Sequence, residues 1–398
     1  MKIVILSSLS MSLINFRGAL IARMATEGHD VVACAPDAEP EVVAALARMG
    51  VRFSLTPMAR AGTNPVRDLA TLWTYLRLIR RERADMVVAY TQKPIIYGGL
   101  AARIATRLGR PVRFHAIMSG LGYVFSSEAD SRGLLRRAVS WLYRQGVRRA
   151  ERIFVFNGDD RADMIAYRIV DADQPVVQVP GSGVDTRHYA EQPMPGTPTT
   201  FLMMGRLMRD KGVGDYVAAA RSIRARWPDT RFLLLGRPET ENPTGYSAEE
   251  IAGWQADGLI TLLPETRDVR PHIATAHIFV LPSFYREGLP RTILEALSMG
   301  RPVVTTDMPG CREPIREGEN GFLVPPKDAA ALAEAMARFI DQPALVTRMG
   351  AAARETAIAI YDVERVNRQL LGEMGLLDQA QEAAPPPATA PALVSRAA

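Results

Sequence analysis

Short apolar runs alternate with amphipathic stretches along nearly the whole chain, and this alternation constrains the fold more than any other feature. Runs of about four to eight β-branched and aliphatic residues suit strands covered on both faces. Strands of that kind lie parallel and need helical crossovers between them. In the first half the runs are Ile3–Ser7, Val31–Ala35, Val51–Leu55, Met86–Ala89, Val112–Ile117, Ile153–Phe156 and Val176–Val179. Pro180-Gly181-Ser182-Gly183-Val184-Asp185 and a Pro/Thr-rich stretch, Pro193 to Thr200, then interrupt the pattern and read as a connection between domains. The alternation restarts with Phe201–Met204, Phe232–Leu235, Ile260–Leu263, Ile278–Leu281, Val303–Thr306 and Phe322–Val324.

The expected architecture is therefore α/β, with two Rossmann-like doubly wound domains, 1–182 and 183–377, facing a cleft. A chain of 398 residues is long enough for each to bury its own core. Ligands of such sheets sit outside the carboxyl ends of the strands. A last helix at about 362–377 is expected to cross back to the first domain. Residues 378–398, where Pro385-Pro386-Pro387 lie amid alanines, are expected to be disordered.

Composition removes several classes. Two cysteines, Cys34 and Cys311, far apart, argue against a disulfide framework and fit a reducing cytosol. Cys311 lies in the loop Pro309-Gly310-Cys311-Arg312-Glu313 and reads either as a ligand-adjacent residue or, more simply, as a small residue that fits there. Ser7, Ser8, Ser10 and Ser12 break the apolar run after Lys2, which reads as a first strand and not as a signal peptide. No eighteen apolar residues run without a charge, so no membrane-spanning helix is expected. The five histidines lack ligand spacing, and neither metal nor cofactor is expected.

The net charge of +5 is uneven: residues 1–190 are strongly basic and the remainder is net acidic. One helical segment carries Arg77, Arg80, Arg81 and Arg83, and another carries Arg132, Arg136, Arg137, Arg144, Arg148 and Arg149. Interleaved with Leu135, Val139, Trp141, Leu142 and Tyr143, the second reads as an amphipathic helix lying on an anionic membrane surface. The expected location is cytoplasmic and peripheral on the inner face of the membrane. No recognised motif accompanies the charge to suggest nucleic acid.

Near the end of the second half, Val280-Leu281-Pro282-Ser283-Phe284-Tyr285-Arg286-Glu287-Gly288-Leu289-Pro290 leads into Arg291-Thr292-Ile293-Leu294-Glu295-Ala296-Leu297. This is a strand, a tight loop and a helix start, with two glutamates eight apart. Pro290 suits the first helical position. Amides around Gly288 and Leu289 then face outward, where the helix dipole favours an anion. Glu295 lies roughly 7–8 Å further along the helix, close to the offset between two hydroxyl-bearing ends of a diphosphate ligand. The bare spacing arises by chance in any soluble chain; its surroundings give it weight.

These surroundings resemble the signature of retaining glycosyltransferases of the family-4 type, which have the two-domain GT-B fold. A second element also matches: Phe201-Leu202-Met203-Met204-Gly205-Arg206-Leu207, followed by Arg209-Asp210-Lys211-Gly212. The resemblance implies that Arg206 and Lys211 bind the donor diphosphate, Glu287 the transferred sugar and Glu295 the ribose of a UDP-sugar co-substrate. It also implies metal-independent transfer with retention, in which the departing phosphate oxygen assists deprotonation of the acceptor hydroxyl.

The first domain is expected to hold the acceptor. Ser12-Leu13-Ile14-Asn15-Phe16-Arg17-Gly18-Ala19-Leu20 follows strand one. Where many family members have a glycine pair this chain keeps only Gly18, so Arg17 is read either as an acceptor-phosphate ligand or as a surface arginine opening a helix. Tyr90-Thr91-Gln92-Lys93-Pro94-Ile95-Ile96-Tyr97-Gly98 and His115-Ala116-Ile117-Met118-Ser119-Gly120-Leu121-Gly122-Tyr123 each read as following a strand and rimming the cleft. Together they look like the subgroup that extends polyprenyl-diphosphate-linked or surface-polysaccharide oligosaccharides. On that likeness Lys93 faces acceptor phosphate and His115 the sugar or acceptor hydroxyl, against the plainer reading of His115 as a structural hydrogen-bonder. Two rival functions remain on the same architecture: a nucleotide-sugar epimerase or hydrolase, and a non-catalytic membrane-surface scaffold.

Overall fold

The computed structural model describes residues 1–58, 64–121, 125, 133–239, 242 and 244–377. The described residues divide into two compact units, Met1–Ser182 together with 364–377, and Gly183–Val363. Tail residues 378–398 and Arg132 of the basic segment lie outside the described residues.

The first unit runs β1 (Lys2–Leu6), α1 (Ser10–Asn15), α2 (Gly18–Thr26), β2 (Asp30–Ala35), α3 (Pro40–Arg48), β3 (Arg52–Leu55), α4 (Pro65–Glu82), β4 (Met86–Tyr90), α5 (Gln92–Arg107), β5 (Arg113–Ile117), α6 (Gly133–Val147), β6 (Arg152–Val155), α7 (Gly158–Ala166) and β7 (Val176–Gln178). Its strands form one sheet in the order β3-β2-β1-β4-β5-β6-β7, with every pair parallel. The order reverses between β1 and β4, so the loops leaving these two buried central strands open at the switch point where such sheets take ligands. α4 begins at a cap built by Asn64, whose side chain accepts from the amides of Val66 and Arg67, with Pro65 in the first turn. It ends at Arg83, which adopts a left-handed φ of 51° and caps the helix instead of extending it.

α6 corrects the sequence reading of its face. Val139 and Tyr143 are core residues, and Leu135 and Leu142 pack against that core. Only Leu134 and Trp141 stand exposed among its large apolar side chains. Leu, Val and Tyr at helical spacing in this segment cover the sheet, as amphipathic helices of α/β units do. Part of the positive charge is also tied down: Arg144 pairs with Asp171 at 2.8 Å, and Arg136 lies over the Tyr167 ring.

The second unit runs β8 (Thr200–Met204), a short 3₁₀ turn (Arg209–Lys211), α8 (Val213–Arg226), β9 (Arg231–Leu235), α9 (Ala248–Ala256), β10 (Thr261–Leu263), α10 (Arg270–Ala274), β11 (Ile278–Leu281), α11 (Arg291–Ser298), β12 (Val303–Thr306), β13 (Gly321–Val324), α12 (Ala329–Asp341) and α13 (Ala344–Thr356). The strands are again parallel, in the order β10-β9-β8-β11-β12-β13. β8 and β11, which deliver the two sequence motifs, are neighbours at the centre. Arg301, fully buried, closes gaps that hydrophobic packing cannot. Its guanidinium donates to the carbonyls of Ile273, Gln192, Met299, Pro193 and Ala274.

After a π turn (Ala357–Tyr361), the final helix α14 (Val363–Glu373) belongs almost wholly to the first unit. Arg152 pairs with Glu373 at 2.9 Å, Arg113 donates to the Met374 carbonyl at 2.6 Å, and Arg23 reaches Glu364 at 3.8 Å. Val366, Leu370 and Leu371 of α14 are buried.

Candidate active site

β8 and β11 bring the two distant motifs together at the carboxyl edge of the second unit's sheet. After β8 the backbone turns at Arg206, whose carbonyl accepts from the Met208 amide at 2.8 Å, and then winds into the 3₁₀ turn. Gly212 ends that turn with φ +75°, and a Cβ there would fall 2.0 Å from the Pro282 carbonyl oxygen. Only glycine permits this approach. The Asp210 carbonyl accepts from the amides of Phe284 (2.9 Å) and Tyr285 (3.0 Å) and from Ser283 Oγ (3.3 Å).

Across this seam Lys211 Nζ forms an ion pair with Glu287 Oε1. The same oxygen accepts from Ser283 Oγ at 3.1 Å, and Lys211 Nζ lies 5.9 Å from the centre of the Tyr285 ring. Arg206 is exposed, yet close enough to matter to Tyr285. Burial and Glu287 push that phenol's pKa up, while Arg206 pulls it down. Two cations, a carboxylate and a phenol thus share one edge. An anion arriving there finds positive charge already placed, and Glu287 accepts from both Lys211 and Ser283.

A second layer fixes the loop from beneath. Thr305 Oγ1 donates to Leu281 O at 2.6 Å, and Thr306 Oγ1 donates to Ser283 O. Gly310, at φ +87°, comes so near that a Cβ would sit 2.4 Å from Glu287 O. Cys311 next to it is fully buried, and burial pushes its thiol up to about 12, so it is an inert packing residue.

Pro290 is not the first helical residue. It is the N-cap, with extended ψ of 119°, and α11 starts at Arg291. Proline's fixed φ is satisfied in either position, and here the loop geometry selects the cap; the positive end of the helix dipole falls one residue later than the sequence implied. Gly288 and Pro290 are buried and Leu289 half-buried beside the seam. Glu295, one turn into α11, is 3 % exposed. Arg291 Nη2 stands 3.3 Å from its carboxylate, and the Tyr189 side chain is near enough to favour the ionised form. Burial raises its pKa, and those two partners offset the rise.

The acceptor-side candidates do not gather in the same way. Arg17 caps the start of α2 and is buried, its guanidinium 5.5 Å from the ring centres of both Tyr90 and Phe156. Those rings close the carboxyl ends of β4 and β6, so Arg17 is at the ligand edge, and the reading as a surface arginine fails. Gly18 is the first residue of α2, where a Cβ would meet only ordinary contacts. Lys93 lies in the first turn of α5, not in a loop, and pairs with Asp68 at 2.8 Å.

His115 departs furthest from expectation. It is the middle residue of β5, with no exposed surface, and neither ring nitrogen has a hydrogen-bond partner. Glu151, just before β6, is its nearest carboxylate at 3.4 Å. That places the ring toward the amino ends of β5 and β6, away from the ligand edge. Alternation along a strand does not tell which end of the sheet a side chain serves, and hence the sequence misplaced it.

Sequence reasoning missed Ser283, Gly310, Tyr189 and Arg291. Gly310 carried a signal in its Pro-Gly turn pair; the others act through contacts that local pattern does not encode. Among the described residues no group of three His, Cys, Asp or Glu side chains is placed to hold a metal ion. None of their helices is long and apolar enough to cross a membrane.

Comparison with known proteins gives a consistent picture. Residues 16–181 match the family model described as a glycosyl transferase 4-like domain, and residues 198–342 that of glycosyl transferases group 1. The chain is 24% identical over 384 residues to the N,N'-diacetylbacillosaminyl-diphospho-undecaprenol alpha-1,3-N-acetylgalactosaminyltransferase of Campylobacter jejuni, covering 93% of this chain and 97% of that protein. It is 25% identical over 308 residues to the UDP-Gal:alpha-D-GlcNAc-diphosphoundecaprenol alpha-1,3-galactosyltransferase of Escherichia coli, covering 74% and 76%. The fold is that of Anabaena Alr3699/HepE, solved with UDP-glucose: TM-score 0.72, 20% identity, covering 95% of this chain and all of that one.

Proposed function

The chain belongs to the GT-B glycosyltransferases built from a 4-like domain and a group 1 domain, and from that premise we propose that it transfers a hexose or N-acetylhexosamine from a UDP-sugar, with retention, to a polyprenyl-diphosphate-linked glycan in surface-polysaccharide synthesis. The observation that carries this reading is the Lys211–Glu287 pair, locked by the two amides bonded to Asp210 O. One side chain suits the diphosphate and the other the sugar hydroxyls. The acceptor class rests on the two bacterial relatives, whose names specify undecaprenyl-diphosphate-linked substrates.

In the reaction the bond between the anomeric carbon and the phosphate oxygen breaks. Negative charge then grows on the diphosphate, where Lys211 and Arg206 already stand and need no reorganisation. The acceptor oxygen bonds the anomeric carbon from the same face, and its proton passes to the departing phosphate oxygen. Glu287 accepts from hydroxyls of the transferred sugar, and Glu295 from the ribose. No metal or protein nucleophile enters this scheme. At the ligand edge of the first unit, Arg17 adds positive potential toward the acceptor diphosphate; Lys93, engaged with Asp68, orders α5.

The membrane partner is an anionic bilayer. Val66, Leu69 and Trp73 form an exposed row at helical spacing on α4, and Leu134 and Trp141 stand out on α6. Arg77, Arg80 and Arg137 are exposed on the same two helices. Apolar tips among arginines suit the headgroup boundary.

The test is a thermal-shift screen of UDP-sugars, then transfer to a synthetic polyprenyl-diphosphate-linked acceptor with the product's anomeric configuration read by NMR. An inverted product, or UDP release and epimerisation at full rate without acceptor, refutes the assignment. Sedimentation with vesicles of phosphatidylcholine, with and without phosphatidylglycerol, tests the surface; equal recovery with both removes the electrostatic part.

A further inference from the structure

Lys211 is asked to serve the donor diphosphate, yet its ammonium already pairs with Glu287. A diphosphate competes for that cation. The two side chains are nearly buried, at 15 % and 13 % exposure. A carboxylate in such a place, once its cation turns to another anion, needs a second donor to stay ionised and in position.

Ser283 is that donor. It lies two residues past the end of β11 and has no exposed surface. Its Oγ is 3.1 Å from Glu287 Oε1, the oxygen that also meets Lys211, and 3.3 Å from Asp210 O. A serine hydroxyl has one proton to give. Asp210 O already accepts from the amides of Phe284 and Tyr285, so the nearer, charged carboxylate is the stronger acceptor. The backbone that carries the hydroxyl is fixed as well. Ser283 O accepts from Thr306 Oγ1 at the end of β12, and Thr305 Oγ1 donates to Leu281 O at 2.6 Å. On the other side Gly310 confines the backbone of Glu287, since a Cβ there would stand 2.4 Å from Glu287 O. Donor and acceptor are thus both placed before any ligand arrives.

We infer that Ser283 is a positioning residue for the sugar end of the donor: its hydroxyl anchors Glu287 Oε1 from the buried side, so that the carboxylate keeps its aim on the sugar hydroxyls while Lys211 serves the diphosphate. The inference rests on Glu287 being the sugar ligand. Ser283 acts through Glu287 and not on the reacting atoms. Removing its hydroxyl withdraws one donor from the carboxylate and leaves Lys211, Arg206 and the Thr306 bond to the backbone in place.

The experiment is a double-mutant cycle on the full-length protein: wild type, Ser283→Ala, Glu287→Ala and the two together. Each is titrated calorimetrically with UDP, UDP-galactose and UDP-N-acetylgalactosamine, and the readout is the affinity that the sugar adds to UDP. Ser283→Ala is expected to bind UDP within about twofold of wild type, which also shows a folded site, and the better sugar donor about three- to tenfold more weakly. In the Glu287→Ala background the serine substitution should cost nothing further, because its acceptor is gone. Should Ser283→Ala not fold, Ser283→Cys, with a weak donor at the same atom, takes its place in the cycle. An equal loss for UDP and for the sugar donor would make Ser283 a support of the whole loop. A loss that persists without Glu287 would make it act elsewhere. Either result, or no loss at all, overturns the inference and leaves the role of Glu287 standing. If Glu287→Ala keeps the full contribution of the sugar, that role itself falls and the inference with it.

Discussion

Lowering the pH from 7.5 to 5 should loosen β5 through a single ring, that of His115. Burial, partly offset by Glu151, brings its pKa from 6.5 down to about 4. The folded state therefore holds the ring neutral where the unfolded chain would protonate it. Stability from this group is complete above pH 6.5 and is lost as pH falls toward 4, because the unfolded state binds more protons in that window. At about 1.4 kcal/mol per pKa unit, the full loss is about 3 kcal/mol, and about 2 kcal/mol is gone by pH 5. Hydrogen exchange of the Arg113–Ile117 amides, corrected for intrinsic rates, reads this locally. Wild-type protection should fall about 30-fold more between pH 7.5 and 5 than that of His115→Phe, which cannot titrate. The phenylalanine variant starts from its own stability, so the difference in slope is the measurement. Equal slopes would show that the ring is already solvated or protonated in the native state, and the placement of His115 would be wrong.

Three further outcomes follow from the active site. Glu295→Ala should weaken binding of UDP itself, whereas Glu287→Ala should spare UDP and weaken the intact UDP-sugar, both read by calorimetry. Lys211→Ala should lower turnover by on the order of a hundredfold or more in the transfer assay, because a charge placed for the leaving group is lost; a merely raised KM would assign Lys211 to ground-state binding. Gly212→Ala should destabilise the second unit and reduce activity, since its Cβ would collide with the Pro282 carbonyl and φ is +75°; unchanged melting and turnover would mean the seam can shift freely.

Much of the fold was legible because apolar strand runs and helix periods are local signals. β11 and β12 fall where the sequence put them, and β8 starts one residue earlier. The proximity of Arg206, Lys211 and Glu287 came through motif resemblance, with strand adjacency supplying the physical reason. What escaped were properties of surfaces and ends. The apolar residues of α6 looked like a membrane face and mostly cover the sheet, because periodicity says that a helix has an apolar side and not what lies against it. Conversely the exposed row on α4, three apolar residues among arginines, went unread within a segment noticed only for its charge. Pro290 shifted by one position because proline fits both places at a helix start. Tyr189 could not be foreseen at all: it lies over a hundred residues before Glu295, and only the folded chain brings its side chain near that carboxylate.

The way α14 joins the first unit has a consequence for synthesis. Arg23, Arg113 and Arg152 are made early, yet Glu364, Glu373 and the Met374 carbonyl that they hold are made some two hundred or more residues later. A fragment ending at Ser182 would keep its sheet but leave apolar surface bare where Val366, Leu370 and Leu371 belong. During translation that half must wait, incomplete, while roughly 180 more residues are added, for about 10–40 s at ordinary elongation rates. Supplying a peptide spanning 363–377 in trans to such a fragment should raise its melting temperature, turning a covalent return into a bimolecular one.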